Sequence, residues 1–90
     1  MHGGDNLGKK KRVKQNYYNY TLRDGRFVVK HGITNDPNRR AVEMENKGLK
    51  FKSMVIDPVA VSEETARKRE KERVESYQKS HNGRKPKYNK

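Results

Sequence analysis

The chain has no cysteine and no tryptophan, only three prolines, and 11 acidic residues against 23 lysines and arginines. Without cysteine there is neither a disulfide framework nor a thiolate metal site, which suits a reducing compartment. No apolar run reaches the length of a membrane span or of a signal-peptide core, so the expectation is a soluble, cytoplasmic protein with no membrane partner. Apolar residues are also scarce, at 29% against 38% charged. A core must therefore be drawn from few side chains, mostly between Tyr17 and Tyr77. A compact unit of roughly 60 residues buries only about 60% of its chain surface, so the patterning has to be efficient. Ninety residues make one domain. Nothing in the composition sets an oligomeric state, and a monomer is assumed.

The shortage of acid is local. Residues 1–14 hold five Lys/Arg and one acid, residues 78–90 hold five and none, and together they supply +9 of the net +12. The segment between them is nearly balanced. A polyanion is the natural partner for such ends, because each Lys or Arg that neutralises a phosphate releases counterions. The candidate contacts are Lys9, Lys10, Lys11 and Arg12 at one end and Arg84, Lys85 and Lys87 at the other. Lys30, Arg39 and Arg40 join them from the middle. The plainer alternative is a solubility tail, with Met1-His2-Gly3-Gly4 resembling an expression remnant.

Residues 1–16 lack periodicity and read as a flexible basic tail, leaving a domain over 17–90 with a basic C-terminal segment. Tyr17 to Leu22 reads as a strand and Phe27 to Ile33 as its return, with Asp24-Gly25 as the hairpin signal. A two-residue loop would set Leu22 against Phe27, Tyr20 against Val29 and Tyr18 against His31. A three-residue loop with a glycine bulge would set Tyr20 against Lys30. Asp36 and Pro37 start a helix to about Lys47, with Ala41, Val42 and Met44 as its buried face and Gly48 beyond its end. Leu49 to Ile56 reads as a third strand whose end, Met54 to Ile56, is buried. Ser62, followed by Glu63 and Glu64, caps a second helix to about Lys79. The fold class expected is α+β: a three-stranded antiparallel sheet packed with two main helices.

The second helix carries one conspicuous residue. Its apolar stripe is Ala66, Val74 and Tyr77, and the missing member is Glu70. Burying a carboxylate without a partner costs several kcal/mol, so it needs either a basic neighbour such as Arg40 or Lys30, or a metal ion. The segment from His81 to Lys90 reads as a solvated tail by composition. His31 reads either as a base or as a partly buried strand histidine beside Tyr18. His2 and His81 lie in the tails, too far apart in sequence for a zinc site.

These residues taken together resemble the GIY-YIG nuclease superfamily, in particular its short stand-alone members with a pattern like GITNDPxRR, SxETAxxRE and HxGxxPKYNK. The resemblance covers residues 18–90. It lays Tyr18-Asn19-Tyr20 on the first family tripeptide, keeping Tyr20, and Lys30-His31-Gly32 on the second, keeping Gly32. It lays Arg40 on the family's catalytic arginine, Glu70 on its metal-binding glutamate and Asn89 on its C-terminal asparagine. What it implies is hydrolysis of phosphodiester bonds in nucleic acid, DNA before RNA, with one Mg²⁺ or Mn²⁺. Glu70 would hold the cation, which keeps most of its waters. Arg40 would stabilise charge on the phosphate, a tyrosine would act as general base, and Asn89 would order the site.

The pattern is also broken. The second tripeptide's tyrosine is Lys30 here, and a family histidine or tyrosine four residues after the arginine is Met44. Lys30 would have to grip a phosphate or serve as a base of lowered pKa, unless Tyr20 or His31 takes that role. If the loss is merely tolerated, Lys30→Tyr should raise cleavage. Two further readings remain: a nucleic-acid-binding module that keeps the fold without the chemistry, and a ribosome- or RNA-associated basic protein unrelated to nucleases, which a structure lacking a hairpin followed directly by the Pro37 helix would favour.

Overall fold

The computed structural model describes residues 13–89. The basic run Lys9, Lys10, Lys11 and Arg12 lies outside the described residues, as does most of the segment read as a flexible tail. Strand β1 (Tyr18–Asp24) and strand β2 (Phe27–Thr34) form a hairpin that leads directly into helix α1 (Pro37–Asn46); strand β3 (Ser53–Ile56) and helix α2 (Glu63–Ser80) follow. The three strands make one antiparallel sheet in the order β2-β1-β3. This is the expected α+β arrangement.

Both helices begin where their caps predict. Asp36 accepts a hydrogen bond from Arg39 N at 3.1 Å with Pro37 in the first turn, and Ser62 Oγ accepts from Thr65 N at 3.1 Å. Each side chain satisfies an amide that the helix itself leaves unpaired. Ala66 is fully buried, while Glu70, Val74 and Tyr77 below it are half-buried. Asn19, itself buried, donates its amide to Ala66 O at 3.0 Å and so ties β1 to the first turns of α2. Arg73 and Asp57 pair at 2.7 Å and fasten the same helix to the end of β3.

The hairpin takes neither expected register. Asp24 pairs with Phe27 around the loop Gly25-Arg26, so Asp24 belongs to the strand and Gly25, at φ +67, is the first loop residue. That left-handed φ is open to glycine at little cost. A bulge follows, in which Val29 and Lys30 together oppose Leu22, and beyond it Thr21 faces His31, Tyr20 faces Gly32 and Tyr18 faces Thr34. The extra residue shifts the pairing and keeps Val29 on the same face as Tyr20 and Leu22. His31 therefore lies opposite Thr21, not Tyr18.

The core is small: Tyr20, Leu22, Val29 and Met44, with Leu49, Phe51, Met54 and Tyr88 packed against it. Several expected members are outside it. Phe27 sits at the hairpin tip and is 68% exposed, and Val42 is 54% exposed because only Met44 on α1 points fully inward. Strand β3 is shorter than expected, and Val55 and Ile56 are exposed on this edge strand. Residues 49–52 pack as irregular chain instead, their amides bonding to Met44 O, the Tyr88 hydroxyl and Arg23 O.

The C-terminal segment departs most from its composition. Pro86 is fully buried, Tyr88 N donates to Val29 O at 2.8 Å, and the Asn89 side chain both accepts from His31 N and donates to His31 O, each at 2.8 Å. These bonds cover the outer edge of β2, whose polar groups would otherwise face solvent unpaired. The carbonyl that Tyr88 takes belongs to the bulge residue. A solvated tail is therefore not what residues 86–89 form.

Candidate functional site

Tyr20 and Gly32, the two residues singled out by the resemblance, meet. Tyr20 and Gly32 are direct partners across the hairpin, and a Cβ at Gly32 would overlap the Tyr20 Cζ and hydroxyl oxygen and come within 2.8 Å of Cε2. The phenol ring thus lies against the strand backbone, and only glycine leaves it room. Successive residues of a strand face opposite ways, so Lys30 shares the Tyr20 face while His31 is turned to the other.

Around Tyr20 stand Lys30, Arg40 and Glu70. Burial pushes the Tyr20 phenol above its ordinary pKa; Arg40 pulls it down, and Glu70 and Glu43 add to the rise. Burial lowers the Lys30 ammonium; Glu70 opposes that, while Arg40 and Lys47 add to it. Arg40 and Glu70, from different helices, therefore both act on the same two groups. Tyr20 is held as a proton donor, and Lys30 is moved towards a free amine. Lys30 Nζ also reaches Tyr88 O at 3.4 Å.

Arg40 reaches Glu43 Oε1 at 3.4 Å through Nη1, and Glu43 Oε2 lies 3.7 Å from Arg39 Nε. Arg39 is exposed and also bonds Asn35 Oδ1 at 3.3 Å. The Arg40 Nε is buried with no hydrogen-bond partner among the described residues. A buried donor left unpaired costs about 1–3 kcal/mol, which makes this guanidinium a receptive one for an acceptor oxygen. Glu43 was missed in the sequence, although its spacing from Arg39 and Arg40 along a helix would have found it.

Glu70 makes no ion pair within 4.0 Å among the described residues, so the expected partnership with Arg40 or Lys30 is not a salt bridge. It lines a cleft of about 310 Å³ with Val74, Glu75, Gln78, Lys85 and Asn89. No group of three or more His, Asp or Glu side chains gathers among the described residues. A cation here would meet two carboxylates, Glu70 and the more exposed Glu75, a small donor set that fits an ion keeping most of its waters. Asn89 reaches the cleft from the edge of β2, so Glu70 and Asn89 line one cleft. No helix among the described residues is long and apolar enough to cross a membrane.

His31 stands apart from this cluster. Its Nδ1 lies 2.9 Å from Thr21 Oγ1, and burial, with Arg73 adding, lowers its pKa. The folded chain therefore resists protonating a ring that the unfolded chain protonates below about pH 6.5. The stability that follows is complete above that value and is lost as pH falls from it towards the lowered folded pKa. His31→Gln should flatten this loss, so melting temperatures at pH 7.5 and 5.5 should differ less for the variant than for the native chain. Equal differences in the two proteins would remove His31 as the cause.

Comparison of the chain with protein-family models, curated proteins and solved structures finds no match.

Proposed function

We propose that this protein binds nucleic acid, DNA in the first instance, and hydrolyses its phosphodiester bonds as a small GIY-YIG-like endonuclease using one divalent cation. The observation that carries the reading is the Arg40 guanidinium, with its buried unpaired Nε, acting together with the Glu70 carboxylate of another helix on the buried Tyr20. Arg40 would bind a phosphate oxygen and stabilise charge that builds on it. Glu70 would hold Mg²⁺ or Mn²⁺. The cation, when bound, supplies Lewis-acid polarisation and a lowered pKa for water. Tyr20 would donate a hydrogen bond and could not remove a proton, since burial keeps its phenol protonated. Asn89 would fix the His31 backbone and one wall of the cleft. The exposed Arg39, Arg84, Lys85 and Lys87 would contact backbone phosphates, with Lys9, Lys10, Lys11 and Arg12 extending the contact.

One observation favours the rival reading of a binding module without chemistry. The tyrosine on this face is held protonated, leaving only the half-buried Lys30 to accept a proton. Cleavage of supercoiled plasmid with and without Mg²⁺ or Mn²⁺ separates the two. Metal-dependent nicking by the folded protein supports the enzyme; retarded but intact plasmid supports the binder.

The surroundings of Lys30 reverse the effect expected of Lys30→Tyr from the sequence. A tyrosine placed there would meet the same burial that raises Tyr20 and would be a poor base at neutral pH. A lysine with a lowered pKa can serve as base or grip a phosphate, so Lys30→Tyr should reduce plasmid cleavage, by about 10²-fold or more if the amine is the general base. The native rate should also rise with pH as that amine loses its proton. Faster cleavage by the variant would show that Lys30 only occupies a lost catalytic position.

A further inference from the structure

Helix α2 ends in an ordered platform that takes no part in the cluster around Tyr20. The rings of Tyr77 and His81 stack in parallel, centroids 3.6 Å apart and planes 3° from each other. His81 Nδ1 lies 2.8 Å from Tyr77 O, an acceptor only, so this nitrogen carries the proton and the ring is locked. The turn beyond is equally fixed. Gly83 N donates to Gln78 O at 2.8 Å, Gln78 Nε2 donates to Gly83 O at 3.0 Å, and Asn82 takes the left-handed φ of 57 that such a helix end requires. One face of His81 is covered by Tyr77, and the residue is exposed. The two rings open onto a cleft of about 410 Å³ whose other walls include Arg84, Lys85 and Lys87. No acid occurs in residues 78–90. Lys85 lines both this cleft and the one that holds Glu70, so the two are neighbours.

We infer that this cleft holds an unpaired nucleotide of a DNA strand, its base stacked on the free face of His81 and its phosphates on Arg84, Lys85 and Lys87. A base inside a duplex is already stacked and shows an aromatic ring only its edge, so a fixed ring platform selects single-stranded DNA. The cations supply attraction without sequence preference. With Lys85 common to both clefts, the phosphate it holds lies between the stacked base and Glu70. The preferred substrate is then DNA in which a single-stranded segment flanks the bond to be cut. This rests on the nucleic-acid reading above and narrows it.

The test measures binding by fluorescence anisotropy to three labelled probes: an oligothymidylate, an abasic oligonucleotide of the same length, and a blunt duplex. The native protein should bind oligothymidylate about 5- to 100-fold more tightly than the abasic strand, the gain of one stacked base. His81→Ala should abolish that difference while leaving duplex binding unchanged. His81→Phe, which keeps a ring, should preserve it. A native protein that binds duplex and abasic strand as well as oligothymidylate overturns this inference and leaves the nucleic-acid reading standing. So does a preference that survives in His81→Ala. Failure to bind any of the three overturns both.

Discussion

Glu70→Gln is expected to abolish divalent-metal-dependent cleavage while leaving the melting temperature and DNA affinity close to native. Glutamine keeps the shape of the side chain and removes the charge a cation needs. Loss of one preorganised electrostatic contact at a reacting centre costs about 10²–10³ in rate, and here the half-buried carboxylate of the cleft is lost while only the exposed Glu75 that shares it remains. The stability forecast follows from the absence of an ion pair to Glu70 among the described residues. Breaking a half-buried pair would leave its cation uncompensated; with none to break, the change should stay within about 0.5 kcal/mol, as at most surface positions. A folded variant that cuts at the native rate would end the metal-ligand role. A variant destabilised by about 1–3 kcal/mol would instead make Glu70 a structural partner of the surrounding cations.

Gly32→Ala should have the largest effect on stability of any single-methyl change in the described chain. The added carbon would enter the Tyr20 ring, which is 2% exposed and has little room to retreat. Overpacking of this kind costs about 1–3 kcal/mol. For a domain of this size that is a fall in melting temperature of roughly 5–20 °C. Tyr20→Leu in the same chain should recover part of the loss, because the two changes share one contact and are not additive. A melting temperature unaffected by Gly32→Ala would mean that the ring yields freely and that Tyr20 is not fixed over the strand.

What could be read from the sequence was what short stretches decide for themselves. Asp36-Pro37 and Ser62 mark helix starts because a cap bonds to amides two or three residues away. Glu70 stood out because helical spacing puts it in line with Ala66, Val74 and Tyr77. The hairpin register could not be read in this way. Asp24-Gly25 gives a turn signal, but the pairing that forms must also bring Gly32 under the Tyr20 ring, and the bulge at Val29 provides the shift. Strand β3 was overextended because Leu49 and Phe51 alternate like a strand, whereas Lys50 N bonds the Tyr88 hydroxyl from far along the chain. The docking of Tyr88 and Asn89 was invisible to composition, since it runs through backbone atoms of Val29 and His31. Arg40 and Glu70 were legible as candidates; their joint action on Tyr20 and Lys30 depends on burial, which needs the fold.

The closure of the β2 edge also bears on how the chain reaches its folded state. Asn89 and His31 are separated by 58 residues, so this contact closes a long loop. Such closure is entropically slow compared with forming the hairpin or either helix. A nascent chain that has released its hairpin and α1 but not yet residues 86–89 presents β2 with a bare edge, ready to pair with another copy. Once residues 86–89 follow, the same segment both removes that aggregation hazard and adds Asn89 to the wall of the Glu70 cleft. Partly made chains would then lack that wall, and protection from self-association would arrive in the same step as the finished cleft.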